Sequence, residues 1–120
     1  MLLLNGDCLD LLKDIPDGTV DLTVTSPPYD NLRTYNDSLE FGDDIWKAII
    51  DGLFRVTKDG GVVVWVIGDA TIDGSESGTS FRQALYFKDV GFRIHDTMIY
   101  LKPHVAFPDS NRYYNAFEYM

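Results

Sequence analysis

Residues 61 to 69, GVVVWVIGD, carry the strongest β signal in the chain, an unbroken apolar stretch built mainly of valine. A run this apolar and this β-branched is expected to be a strand covered on both faces, as inner strands of parallel sheets are. Such a strand demands neighbouring strands at its edges and helices over its faces. The flanking sequence offers both.

Upstream, TVDLTVT (19 to 25) is also β-branched and mostly apolar, and Ser26-Pro27-Pro28 stops it because proline has no N–H to give a ladder. DIWKAIIDGLFRVT (44 to 57) sets Ile45, Ile49, Leu53 and Val56 at helical spacing, with KDGG (58 to 61) as its stop. At the start of the chain, MLLLN (1 to 5) reads as a short strand. Asp7 then caps CLDLLKDI (8 to 15), whose Leu9, Leu11, Leu12 and Ile15 form one stripe before Pro16 ends it. Residues 30 to 43 are polar and turn-rich, and ATIDGSESGT (70 to 79) reads as a loop.

SFRQALYFKDV (80 to 90) offers Phe81, Ala84, Leu85 and Val90 as a helical face, with Gly91 as its C′ residue. FRIHDTMIYLKP (92 to 103) alternates as a further regular element, and RYYNAFEYM (112 to 120) reads as the start of another strand. Strands alternating with helices imply an α/β layer on a mainly parallel sheet with flanking helices.

A chain of 120 residues, 45% hydrophobic, is one domain with enough apolar material for a core. No stretch approaches the roughly 18 to 20 apolar residues of a membrane span, and MLLLNGD lacks the basic flank of a signal peptide. A cytoplasmic protein with no membrane partner is expected. The single cysteine, Cys8, excludes an internal disulfide, and with no clustered histidines no structural metal site is expected. The formal net charge of −9 opposes binding to a nucleic-acid backbone, which requires Lys and Arg to displace counterions. Any such function needs positive charge from elsewhere.

Ligands of open α/β sheets bind beyond the carboxyl ends of the strands. Three polar clusters fall there, NGD (5 to 7), TSPPY (25 to 29) and IGDAT (67 to 71), and they are expected to line one crevice. Here NGDCLDLLKDIPDGTVDLTVTSPPYDN (5 to 31) resembles the opening of the DNA methyltransferases that modify exocyclic base amines, cytosine N4 and adenine N6. The early position of SPPY resembles the β-type motif order of that family, in which the catalytic tetrapeptide comes early and the glycine-rich S-adenosylmethionine loop late.

The chemistry of SPPY stands apart from that resemblance. An exocyclic amine is a weak nucleophile because its lone pair is delocalised into the ring, and hydrogen bonds accepted from both of its protons counter that conjugation. Two acceptors are needed. The candidates are the Ser26 hydroxyl and the Pro27 carbonyl, on a backbone that Pro27 and Pro28 hold stiff through their fixed φ angles. A base inside a duplex must also be flipped out, and the Tyr29 ring offers a face for it. The competing reading is an ordinary turn with a rim tyrosine. The position of SPPY at the end of a buried strand, after NGD, favours the chemical one.

The resemblance implies a Rossmann-like S-adenosylmethionine-dependent methyltransferase fold, present in part, with residues 1 to 120 as a single partial catalytic domain. It implies Ser26, Pro27, Pro28 and Tyr29 as catalytic residues. Asp7 would accept from the adenine amine of S-adenosylmethionine, or serve only as helix cap, with the backbone of Cys8 close to the ring. In the family resembled, the first acceptor is Asp in adenine-amine enzymes and often Ser in cytosine-amine enzymes, so Ser26 points to cytosine N4 over adenine N6. The family's glycine-rich cofactor loop, ribose-binding acid and basic target-recognition region find no match in this sequence. Double-stranded DNA is therefore expected as partner of a complete enzyme, with a complementing C-terminal half or a second copy completing the chain.

The alternative is a non-catalytic module whose aromatic tail, RYYNAFEYM, forms an exposed patch for a partner. A covalent cytosine-carbon mechanism through Cys8 is not expected in the context GDC, where the residue reads as small and buried. Asp30 and Asn31 either shape the substrate side or cap a turn, and Asp69 either meets cofactor or base or is solvated. His95 and His104 have no catalytic partner at a telling spacing. DGSESGTSF fits no phosphate loop, and no G-x-S-x-G elbow is present.

Overall fold

A computed structural model describes residues 1–29, 41–103 and 116–120. Helix α1 (Cys8–Lys13) starts at Asp7, whose Oδ1 accepts from the Leu9 N–H at 2.8 Å. Strand β1 (Val20–Thr25) follows, then α2 (Asp43–Val56) and β2 (Thr57–Trp65). The two strands pair in parallel, with Leu22 opposite Val62 and Thr25 opposite Trp65, and α2 serves as their crossover. Regular pairing resumes at Val62 after a register shift, so KDGG forms the irregular beginning of β2 rather than a separate stop.

Beyond β2 come a short hairpin, β3 (Thr71–Ile72) with β4 (Ser75–Glu76), then α3 (Thr79–Val90), which ends at Gly91 as its spacing suggests. The loop expected over 70 to 79 contains that hairpin. Asp73-Gly74, at φ 50° and 80°, makes its turn, a pair favoured where both central residues need positive φ. Strand β5 (Ile99–Leu101) pairs antiparallel with β6 (Phe117–Tyr119), and Ile67 exchanges backbone hydrogen bonds of 2.9 and 3.0 Å with Tyr119. Through that bridge the chain leaving β2 touches β6.

The core lies between β2 and the two long helices, where Trp46, Ile50 and Leu53 of α2 meet Trp65, Ile67 and Phe87. Ile50 is fully buried, and Leu12 and Tyr29 pack against the cluster from its margins. Arg55 ties α1 to α2 by donating to the Ile15 carbonyl at 2.9 Å and the Leu12 carbonyl at 2.6 Å. The Leu12 carbonyl, in the last turn of α1, also accepts from the Ile15 N–H at 3.1 Å, so Arg55 is a further donor to it.

Four expectations are corrected. MLLLN is not a strand: Leu2, Leu3 and Leu4 are exposed, and residues 1 to 5 pair with no strand among those described. β1 and β2 are not covered on both faces, since Leu22, Val24 and Val62 are 57%, 65% and 53% exposed. Strand alternation sends these three to the face that α2 and α3 do not cover. The apolar face expected of α3 is also turned outward. Phe81 and Leu85 are exposed, while Thr79, Ser80, Gln83 and Phe87 are buried, because Ser80 binds Asp69 and Gln83 Oε1 accepts from Trp65 Nε1 at 2.8 Å. Polar pairing outweighed apolar spacing. In the segment 92 to 103 only Ile99–Leu101 is strand. Among the described residues, no helix is long and apolar enough to cross a membrane.

Candidate active site

Because β1 and β2 run parallel with Thr25 beside Trp65, the loops that leave them emerge on the same side. SPPY and IGDAT are thus brought together as the sequence suggests. Pro27 is buried, Pro28 and Tyr29 are half-buried, and Ser26 is exposed. This places a rigid backbone beneath an accessible hydroxyl.

Ser26 Oγ and Tyr29 Oη stand 3.1 Å apart, and Tyr29 Oη donates to Glu118 Oε2 at 2.9 Å. The other carboxylate oxygen of Glu118 pairs with Lys102 Nζ at 2.6 Å. The Tyr29 ring lies so close to Gly68 that a Cβ there would stand 3.2 Å from Cδ2 and 3.3 Å from Cε2. Glycine at the head of the second loop admits the aromatic ring of the first. The constellation therefore has a hydroxyl acceptor, a backbone carbonyl, a ring, and an ion pair anchoring the ring's hydroxyl.

Sequence reasoning did not single out Glu118 and Lys102, and it covered Gly68 only as part of IGDAT. Glu118 left only a faint signal, a lone acid between the aromatics Phe117 and Tyr119 in a strand. Lys102 reads as an ordinary surface lysine until the ladder bond from its N–H to the Ala116 carbonyl, at 2.7 Å, places it beside Glu118.

Asp7 and Cys8 sit at the N-terminus of α1, and among the described residues no hydrogen bond joins them to the Ser26–Tyr29 loop. Asp7 holds the cap expected of it. Cys8 is exposed rather than buried as expected, because it occupies the first, outward turn of a short helix. Partial desolvation, and then the Asp7 carboxylate, push its thiol up from the usual range. A thiol kept protonated is a poor nucleophile, against the covalent mechanism already disfavoured.

Asp69 is bound to the start of α3. Its Oδ1 accepts from Ser80 N–H at 2.9 Å and Ser77 Oγ at 3.1 Å, and its Oδ2 from Ser80 Oγ at 2.5 Å, which caps α3. His95 is exposed beside Asp96, with Nδ1 2.7 Å from Oδ2. Asp30, Asn31 and His104 lie outside the described residues. The aromatic tail is not a free patch where it is described: Tyr119 packs at 5.6 Å on Phe81 and at 5.3 Å on Phe117, and Phe117 and Tyr119 both lie in the β5–β6 pair.

Comparison with known proteins bears on the family and the fold. A family model described as DNA methylase, that of the N6/N4 methyltransferases, matches residues 20–120. The orphan methyltransferase M.BamHII of Bacillus amyloliquefaciens is 62% identical over 109 residues, covering 90% of this chain and 39% of that protein. The type II methyltransferase M.BglII of Bacillus subtilis is 34% identical over 103 residues, 83% of this chain and 29% of its own length. The chain thus spans well under half of these relatives.

Among solved structures, the PvuII DNA methyltransferase (cytosine-N4-specific) superposes with a TM-score of 0.78 at 24% identity, over 95% of this chain and 45% of that one. A DNA modification methylase of Thermus thermophilus, in complex with S-adenosyl-L-methionine, gives 0.74 at 25% identity over 95% and 51%. The fold is the S-adenosylmethionine-dependent methyltransferase fold, present in part. Strand pairing, loop placement and sequence likeness converge, and the chain belongs to the N6/N4 DNA methylase family.

Proposed function

We propose that this chain carries the amine-binding and base-stacking part of an S-adenosylmethionine-dependent DNA methyltransferase that acts on cytosine N4 in preference to adenine N6. The observation that carries this reading is the 3.1 Å pairing of Ser26 Oγ with Tyr29 Oη on the loop leaving the carboxyl end of β1. Ser26 and the Pro27 carbonyl accept from the amine protons, while the Tyr29 ring supports the flipped base. The cytosine preference rests on Ser26 in the position where the adenine-amine enzymes carry Asp.

S-adenosylmethionine, when bound, supplies the methyl group. Asp7 fits its adenine end: one carboxylate oxygen caps α1, and a carboxylate has acceptor capacity on its second oxygen for an adenine amine. Cys8 contributes backbone there, not its thiol.

A net charge of −9 leaves DNA attraction to a basic surface supplied by the remainder of a complete enzyme. The same remainder is the occupant proposed for the open sheet face of Leu22, Val24 and Val62, since relatives extend well beyond the span matched here. An apolar face of this kind is normally covered.

The test is to express the reading frame that contains this chain, incubate the product with duplex DNA and labelled S-adenosylmethionine, and digest to nucleosides. N4-methylcytosine is expected, and it should vanish in the Ser26→Ala, Tyr29→Ala double variant. Methylation that survives that variant removes the residue assignment; N6-methyladenine alone overturns the base preference.

A further inference from the structure

We propose that Glu118 is a positioning residue that fixes the direction of the Ser26 hydroxyl, so that Ser26 offers lone pairs rather than a proton to the amine of the target base. The inference rests on the reading of SPPY as the amine-binding loop.

It follows from the count of protons. A carboxylate paired with an ammonium can only accept, and Glu118 is held in such a pair by Lys102 at 2.6 Å. Tyr29 has one hydroxyl proton, and at 2.9 Å it goes to Glu118 Oε2. Tyr29 Oη can then meet Ser26 only as an acceptor, so across 3.1 Å the proton comes from Ser26. With that proton directed at Tyr29, what Ser26 Oγ presents elsewhere is lone pairs. Two donors face to face would repel; an amine needs the acceptor.

The geometry that enforces this direction is distant in sequence and rigid in space. Glu118 lies in β6 and Lys102 just past β5, and ladder bonds on both sides hold the pair. The Glu118 side chain is 17% exposed, which limits competition from water for its oxygens. Gly68 leaves room for the ring between the two loops.

Glu118→Gln separates direction from packing. Lys102 claims the amide oxygen, so the amide NH₂ faces Tyr29 and donates to Oη. The Tyr29 proton turns to Ser26, and the Ser26 proton turns outward. Shape is kept while polarity reverses. In the full enzyme, kcat is expected to fall about 100-fold, the scale of one misplaced group in a charge-stabilising site, with KM for DNA changed little.

Tyr29→Phe removes the relay but keeps the ring, so adding Glu118→Gln to it should cost nothing further, a coupling that a double-mutant cycle reads. Equal activity of wild type and Glu118→Gln, or additive losses in the cycle, would overturn the proposal. An independent readout uses the 120-residue chain itself. With ¹³Cζ-labelled tyrosine, the Tyr29 resonance should move upfield in Glu118→Gln as donation to a carboxylate is lost, with the other tyrosines unmoved. An unmoved Tyr29 resonance overturns the relay, whereas a wild-type enzyme that methylates nothing overturns the function it serves.

Discussion

Tyr29 and Glu118, 89 positions apart in the chain, meet at 2.9 Å between Oη and Oε2. One follows the first strand and the other lies in the last, so the candidate site closes only when both ends of the described fold are in place. Residues that the sequence scatters become neighbours because β2 runs beside β1 and its continuation bridges to β6. The site is a property of the sheet order, and its supports can be tested one at a time.

Gly68→Ala tests how tightly the Tyr29 ring is placed. A Cβ at 3.2 to 3.3 Å from two ring atoms forces a displacement of a few tenths of an ångström. Misplacement by about 1 Å can cost on the order of 100-fold in rate, so a shift of this size is expected to lower kcat roughly five- to tenfold. Stability should hardly change, since alanine also restricts the unfolded chain. Steady-state kinetics beside a urea titration check this, and an unchanged kcat would mean that the ring position is not limiting.

Asp69→Ala tests the cap of α3. Gly78, at the N-cap, offers no side chain, and Asp69 substitutes for it from the preceding loop through both oxygens. Its removal orphans the buried Ser80 hydroxyl as well as the Ser80 N–H. A loss of about 2 to 3 kcal/mol is expected, with Asp69→Asn costing roughly half of that, read as a shift in the urea midpoint. A midpoint within error of wild type would place the helix start under other control.

The two cases show what the sequence conveyed and what it did not. β1, α2, α3 and the SPPY loop were legible because apolar spacing and proline speak locally. The buried face of α3 was not, because Ser80 and Gln83 are drawn inward by Asp69 and Trp65, partners set by the fold. The strand expected at MLLLN failed for a related reason: an apolar run specifies a strand only if an edge is there to receive it. The end of β1 at SPPY was legible from its prolines, yet Glu118, which holds the Tyr29 hydroxyl, was not. A single acid in a short strand says nothing about the tyrosine it holds.

Cys8 should react slowly. Desolvation, followed by the Asp7 charge, raises its thiol pKa, so at any pH below that value the thiolate fraction is smaller than for a free cysteine. Alkylation by iodoacetamide should show a pH profile displaced to higher pH relative to a cysteine peptide. Asp7→Asn should recover only part of the displacement, because the charge is the lesser cause. Full recovery would reverse that order.

The open sheet face gives the sharpest separation between this chain alone and a complete enzyme. Leu22, Val24 and Val62 are each more than half exposed here, so replacing all three with threonine removes little burial. Threonine also keeps the branched shape that strands favour, and the summed cost in the isolated chain is expected to stay below about 1 kcal/mol. If the remainder of a methyltransferase fold covers this face, the same three changes put hydroxyls into an apolar interface. Each should then cost on the order of 1 to 3 kcal/mol. Urea unfolding of the triple variant in both contexts decides the matter: a large cost confined to the longer protein means the face is an internal seam, and equal small costs mean that it stays open to solvent.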